Sequence, residues 1–333
     1  MKPTVLIPEP IATCGLDALK AECTCIAPRE SSPTAPKRLD SHEAGEFEAA
    51  LPEASGIIVR LFNVDDRFLE RAKHLKVIAK HGVGVDNIDC KAASRRKIPV
   101  IYTPAANANA VAEHTLALML ALSRQIEPAA LAVKQGRFND RNLFQGVELA
   151  GKTIGVVGLG RIGSRVATMA ALGLQMIVRA YDPFLSQSDY SGPAILEASL
   201  ESVLREADYL TLHVPLTPDT RYLINSETLK TVKLGCRIIN TARGALIDEL
   251  ALVGALREGA VAGAGLDVFE DEPLPSSHPF CQLPNVVLTP HISSSTSEAL
   301  GRMAIQSAQG VLDVLHGKKP EHVVNPEVFD ERS

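Results

Sequence analysis

The sequence predicts an α/β protein built on two doubly wound parallel sheets. Three observations carry this. Strand-like and helix-like stretches alternate along almost the whole chain, as they do where parallel strands are joined by crossover helices. A glycine-rich turn, Gly158-Leu159-Gly160-Arg161-Ile162-Gly163, stands between a short apolar run and an amphipathic stretch. That turn lies mid-chain, with one α/β pattern before it and a second after it. A chain of 333 residues has room for two ordinary domains with full cores.

The elements follow in order. Val5-Leu6-Ile7 is short, apolar and partly β-branched, so 5–7 reads as a strand, and 15–21 as a helix. Cys23 and Cys25 alternate in an apolar stretch and would share one face of a further strand. Residues 31–41, with Pro33 and Pro36, read as a loop. Strands are expected over 56–59, 77–79 and 99–102, and helices over 66–73 and 89–97. A long helical stretch covers about 108–134; Val111, Thr115, Leu118, Met119 and Leu122 make its first part apolar enough to bury. Pro128 is expected to break or kink it. After a loop at 136–151, strand 153–157 runs into the glycine turn, helix 162–172 leaves it, and strand 176–181 follows. Alternation then continues with strands over 209–213, 237–240, 261–268 and 286–288. Helices are expected over 200–206, 226–232, 248–258 and 296–316.

The glycine turn carries the first chemical signal. A strand, a tight G-x-G-x-x-G turn and a helix place a dinucleotide pyrophosphate on the helix N-terminus. Gly158 permits the turn, Gly160 lets backbone approach phosphate, and Gly163 lets helix pack on strand. Asp182 closes the next strand, about 20 positions further on, where a carboxylate can accept from an adenosine ribose. Taken alone, it would read first as a solvated strand-end residue before Pro183. A carboxylate there repels a 2′-phosphate, and no arginine follows it, so the expected cofactor is NAD rather than NADP.

Composition narrows the classes. The net charge is −5 and the basic residues are scattered, with Arg95-Arg96-Lys97 the densest run, so no nucleic-acid partner is expected. No apolar run is long enough for a membrane span, and the start enters a strand directly, so a cytoplasmic location is expected. The six cysteines include no C-x-x-C pair and read as reduced thiols; no metal site is expected.

Four constellations at strand ends point to chemistry. Arg243, in Asn240-Thr241-Ala242-Arg243-Gly244, fits a surface arginine. It also fits a guanidinium that binds a substrate carboxylate and polarises the neighbouring carbonyl, with Gly244 and Ala242 leaving it room. Glu272 ends the acidic run Glu270-Asp271-Glu272 and is fixed by Pro273; three adjacent carboxylates cannot all be buried and charged. Its expected role is to stabilise an imidazolium. His291 follows Thr289-Pro290 at the last strand end and suits a general acid and base. The turn His81-Gly82-Val83-Gly84-Val85-Asp86-Asn87-Ile88-Asp89 reads either as a tight connection or as a backbone anion nest.

Together these motifs resemble the D-isomer-specific 2-hydroxyacid dehydrogenases, within them the 3-phosphoglycerate dehydrogenase and hydroxypyruvate/glyoxylate reductase branch. The similarity runs from about residue 56 to residue 324. It implies a Rossmann NAD domain, residues 105–290, inserted into a flavodoxin-like substrate domain made of 1–104 and 291–333. It implies reversible NAD-dependent oxidoreduction of a small 2-hydroxy or 2-keto acid, of the 3-phosphoglycerate or hydroxypyruvate/glyoxylate type. Arg243, Glu272 and His291 would be catalytic, and Arg60, Val83, Gly84 and Arg243 would bind substrate. The NAD site would comprise Gly158, Gly160, Arg161, Ile162, Gly163, Asp182, His213, Val214, Pro215, Thr241, Ala242, Asp267 and Ser294. A homodimer joined through the NAD domains, including the helical stretch after Asn107, is also implied.

The chain departs from the family pattern at several points. Ser293-Ser294 stands where glycine is usual, and no tryptophan precedes Arg141. Leu61-Phe62-Asn63 follows Arg60 in place of small polar residues and a lysine, a more apolar mouth that weighs against a phosphorylated substrate. Arg60 and Arg141 could each meet a second anionic group or simply lie at the surface. The end at Ser333 leads us to expect no appended regulatory domain. Two rival functions share the fold. Formate dehydrogenases resemble it with glutamine in place of Glu272, so the carboxylate argues against them. A corepressor-like NAD sensor can keep the catalytic set.

Overall fold

The computed structural model describes residues 2–28 and 41–330. The expected loop at 31–41 lies outside them, apart from Ser41, which opens a helix. Two compact units are present: Met1–Asn107 with Ser295–Ser333, and Ala108–Ser294.

The first unit runs β1 (Thr4–Leu6), α1 (Thr13–Glu22), β2 (Thr24–Ile26), α2 (Ser41–Ala50), β3 (Ala54–Val59), α3 (Asp66–Arg71), β4 (Val77–Lys80), α4 (Cys90–Arg95) and β5 (Val100–Ile101). Its five parallel strands are ordered β2-β1-β3-β4-β5, the flavodoxin-like arrangement. Alternate strand residues feed opposite faces. Leu6, Ile57, Val59, Ile78 and Val100 pack with Phe47, Phe68, Ala92 and Ala93 on one side. Val5, Ile7, Ile58, Val77 and Ala79 pack with Leu16, Leu19, Ala304, Ala308 and Val311 on the other.

The second unit runs α5 (Ala108–Ser123), α6 (Ile126–Lys134), β6 (Thr153–Val157), α7 (Arg161–Leu174), β7 (Ile177–Tyr181), β8 (Ile195–Leu196), α8 (Leu200–Glu206), β9 (Tyr209–Leu212), α9 (Ser226–Thr231), β10 (Cys236–Asn240), α10 (Glu249–Glu258), β11 (Val261–Leu266) and β12 (Val286–Leu288). The chain then returns to the first unit with α11 (Ser297–Leu315) and α12 (Glu327–Asp330). The seven strands are parallel in the order β12-β11-β10-β9-β6-β7-β8. Counted from β6, this is the Rossmann order with one strand added, and the order reverses between β6 and β9.

The long helical stretch divides differently from the expectation. The break falls at Gln125, whose φ of 52° is left-handed, and not at Pro128. Pro128 sits in the first turn of α6, where no intrahelical N–H bond is due. The two helices bend by 65°. No single helix among the described residues is long and apolar enough to cross a membrane. Helix α2 was not read from the sequence because only its Phe47 delivers a large side chain to the core.

Candidate active site

In the second unit, the side chains expected to be functional gather beyond the ends of β6, β7, β9, β10, β11 and β12. Strand β6 is buried over its last four residues and delivers the glycine turn to the N-terminus of α7. A Cβ on Gly163 would lie 1.9 Å from Gly158 O, so helix and turn meet only because position 163 carries no side chain. A Cβ on Gly160 would meet nothing within 4 Å, which leaves the space over the helix N-terminus open.

Asp182, at the end of β7, accepts the Leu159 N–H at 2.9 Å through Oδ2 and the Phe184 N–H at 3.0 Å through Oδ1. The second strand therefore fastens the turn that the first strand launches. His213, Val214 and Pro215 leave β9 beside the same turn. His213 N–H donates to Val157 O at 2.7 Å, and Nε2 lies 3.0 Å from Thr211 Oγ1. Burial lowers the His213 pKa, which keeps the ring neutral. An open helix N-terminus over a glycine turn, and a carboxylate on the neighbouring strand, fit a dinucleotide.

Strand β10 ends in Asn240, a residue the sequence reading left without a role. Its Oδ1 accepts the Ala242 N–H at 3.0 Å and its Nδ2 donates to Arg243 O at 2.8 Å, so one carboxamide shapes the turn that presents Arg243. Thr241 is turned inward. Thr115 Oγ1 donates to Val111 O, so the 2.9 Å contact is Thr241 donating to Thr115. Arg243 is half-buried, and its Nη1 donates to Ala242 O at 2.6 Å. Gly244 does not serve mainly to make room for that arginine. A Cβ there would lie 1.9 Å from the Phe269 carbonyl carbon, so its absence lets the Arg243 and Glu272 loops pack backbone to backbone.

Glu272 and His291 meet directly: Glu272 Oε2 lies 2.7 Å from His291 Nδ1. Glu272 Oε1 accepts the Phe269 N–H at 3.1 Å. Burial alone would raise the Glu272 pKa, but the hydrogen bond and charge of His291 and the Phe269 N–H bring it below the usual range. Nδ1 bonded to a carboxylate leaves Nε2 as the nitrogen able to exchange a proton with a reactant. The His291 backbone is left-handed, with φ at 52°, a conformation that costs residues other than glycine and that the surroundings must hold.

Asp267 holds that conformation. It is wholly buried; Oδ1 accepts from Thr289 Oγ1 at 2.6 Å and Ile292 N–H at 2.9 Å, and Oδ2 from Ser293 N–H at 2.8 Å. Its carbonyl takes the His291 N–H at 2.8 Å. Burial raises its pKa, but the bonds from His114, Thr289, Ile292 and Ser293 outweigh this and lower it. The structure thus uses Asp267 as the anchor of residues 289–293. Ser294, half-buried, follows this loop. Arg141 is exposed on the turn Phe138–Leu143.

The remaining expected residues lie in the first unit. Arg60 follows β3; burial lowers its pKa, and Nη1 donates to Pro10 O at 3.1 Å. Glu9 was not singled out from the sequence. Its carboxylate collects the N–H groups of Arg60 (2.6 Å), Leu61 (2.8 Å) and Phe62 (3.1 Å). Val83 and Gly84 are half-buried in the turn after β4. Lys80 donates to Arg60 O and Asn87 Oδ1, and Asn87 Nδ2 donates to Phe62 O at 2.6 Å, so the two loops are stitched together.

Residues 116–293 match the family model described as D-isomer specific 2-hydroxyacid dehydrogenase, NAD binding domain. The chain belongs to that family. A D-3-phosphoglycerate dehydrogenase of Synechocystis is 45% identical over 279 residues, which cover 83% of this chain and 49% of that protein. A glyoxylate reductase of Thermofilum pendens is 40% identical over 335 residues, covering 99% of this chain and 95% of the other. Among solved structures, D-lactate dehydrogenase from Aquifex aeolicus, complexed with NAD and lactic acid, superposes with a TM-score of 0.81. It is 29% identical, over 96% of this chain and 98% of that one. The chain spans about half the length of the phosphoglycerate dehydrogenases it matches. Ala108–Ser294 is the unit that contains the NAD-binding match.

Proposed function

We propose that the protein catalyses reversible NAD-dependent oxidoreduction of a small 2-hydroxy acid and its 2-keto acid. The observation that carries this is the 2.7 Å contact between Glu272 Oε2 and His291 Nδ1, on the unit that bears the glycine turn. Bound NAD supplies the hydride acceptor, and NADH the donor. In oxidation, His291 Nε2 takes the proton of the C2 hydroxyl; in reduction it returns it. Glu272 stabilises the imidazolium formed in between. Arg243 binds the substrate carboxylate and, in reduction, polarises the C2 carbonyl. In the first unit, the Val83–Gly84 backbone is an anion nest and Arg60 is the cation fixed beside its strand end.

Glu272 separates this reading from formate oxidation, which has no hydroxyl proton to remove. Asp182 supports NAD over NADP. Hydroxypyruvate and glyoxylate suit the apolar Leu61 and Phe62 next to Arg60 better than a phosphorylated acid does. Turnover of a panel of 2-keto acids with NADH, with and without a phosphate group, tests the reading. We expect turnover on at least one small keto acid, and a fall of about 10²–10⁴ in kcat for His291→Ala with NADH affinity kept. No turnover on any member, alongside tight NADH binding, would favour an NAD-sensing protein. Near-normal turnover of His291→Ala would remove the catalytic assignment.

We also propose a homodimer. Ile126, Leu131 and Val133 on α6, and Phe138 and Leu143 just beyond it, are 51–71% exposed. A row of large apolar side chains this open calls for a covering partner. Sedimentation should report a dimer, and Leu131→Asp with Phe138→Asp should shift it toward monomer; an unchanged dimer would place the interface elsewhere.

A further inference from the structure

We propose that Glu249 and His278 are positioning residues that hold the Glu272 carboxylate in register with His291; this rests on the catalytic reading of that pair. Glu249 is the first residue of α10, and His278 caps the short turn Pro279–Gln282. Their side chains are 12% and 16% exposed, and Glu249 Oε2 lies 3.3 Å from His278 Nε2. The tautomer is set by the backbone. His278 Nδ1 accepts the Phe280 N–H at 3.3 Å, so the ring proton sits on Nε2 and faces the carboxylate. The unit therefore contains a further carboxylate–imidazole pair besides Glu272 with His291 and Asp267 with His114.

What this pair holds is the loop that carries Glu272. The other Glu249 oxygen, Oε1, accepts the Glu270 N–H at 2.8 Å. One residue earlier, the Phe269 N–H donates to Glu272 Oε1, whose partner oxygen meets His291. Two adjacent peptide N–H groups are thus taken by two different carboxylates, one fixed to a helix start and one reaching the histidine. Any shift of the Glu270 peptide carries the Phe269 peptide, and Glu272 with it. The Glu270 side chain is clamped separately by Arg221 (2.6 Å) and Tyr222. Across the loop, the missing side chain of Gly244 lets its backbone touch Phe269 and Glu270. The turn is gripped from three sides, and of its two charged grips the Glu249–His278 pair is the more enclosed, at 12% and 16% exposed against 32% and 48% for Glu270 and Arg221. Burial, with Glu270 and Asp271 nearby, pushes the Glu249 carboxyl up.

The experiment measures kcat, KM for the keto acid, NADH affinity and the primary isotope effect with 4-deuterated NADH. It compares wild type with Glu249→Ala, Glu249→Gln, His278→Gln and His291→Ala. For Glu249→Ala we expect kcat to fall about 30- to 100-fold, with KM and NADH affinity within about threefold and a larger isotope effect, since a displacement near 1 Å costs about that much. Glu249→Gln keeps an oxygen for the Glu270 N–H but turns an N–H toward His278, so its kcat should fall between. Should Glu249→Ala not fold, His278→Gln reads the same linkage with a smaller loss. Normal kcat in Glu249→Ala overturns the proposal. So does a loss that appears equally in kcat, KM and NADH affinity with an unchanged isotope effect, the mark of general loosening. If His291→Ala is inactive while Glu249→Ala is normal, only this proposal fails; if His291→Ala turns over normally, the catalytic reading fails first.

Discussion

The Asp182 carboxylate accepts the Leu159 backbone N–H at 2.9 Å, so the residue expected to read the ribose also braces the glycine turn. Replacing it should have two effects. Asp182→Ala should weaken NADH binding about tenfold, because the turn loses its brace and the ribose its acceptor. It should also narrow the preference for NADH over NADPH, because the charge that repels a 2′-phosphate is gone. Fluorescence titrations with both nucleotides check this; an unchanged preference would remove Asp182 from cofactor selection.

Gly163 offers a harsher test. One methyl group there would stand 1.9 Å from Gly158 O, against backbone that cannot swing away. Gly163→Ala should destabilise the protein by about 2–4 kcal/mol and abolish measurable NADH binding. Urea unfolding and the same titration report it. Gly160→Ala, with open space at its Cβ, should be far milder for stability.

Asp267 should matter more than its distance from the proton-transfer atoms suggests. Its two oxygens face a hydroxyl and two backbone N–H groups. Asp267→Asn puts an amide N–H against at least one of those donors. We expect a stability loss of about 2–4 kcal/mol, and a kcat loss from His291 leaving its left-handed backbone position. Equal stability and turnover in this variant would show that the loop holds itself.

His81 gives a pH dependence of stability. It is 5% exposed, and both ring nitrogens are sealed from solvent. Burial lowers its pKa to about 4 from 6.5. The unfolded chain binds the proton more readily, so this stability is complete above pH 6.5 and is lost as the pH falls toward 4. The loss approaches about 3 kcal/mol. His213, lowered by the same cause, adds to the slope. Urea midpoints from pH 7 to 4.5 should fall for wild type and fall less for His81→Leu; parallel curves would exclude His81 as a source.

Much of this was legible before the structure, and for a physical reason. The turn from Gly158 to Gly163, the strand before it and Asp182 form a local unit whose signals lie within about 30 residues. Arg243, Glu272 and His291 stood out because each lies in the connection after a strand and is flanked by glycine or proline. What was not legible is held by long-range bonds between ordinary residues. Nothing in the sequence says that Asp267 spends its oxygens on residues 289–293, that Glu9 gathers the N–H groups after β3, or that Glu249 meets His278. The helix break went to Gln125 because a proline in a first helical turn is harmless, whereas only the backbone reveals a left-handed glutamine.

The return of the chain to its first unit sets an order on biosynthesis. Helix α11 lays Ala304, Ala308 and Val311 against Val5, Ile58 and Val77, strand residues made at least 220 positions earlier. A ribosome working through the first hundred residues therefore releases a sheet with one apolar face covered only by α1. The part that α11 covers stays open while all of Ala108–Ser294 is translated. The inserted unit, by contrast, draws its whole sheet from one continuous stretch and can close as it emerges. During those seconds the nascent N-terminal sheet exposes apolar surface, and helix α11 is what closes it.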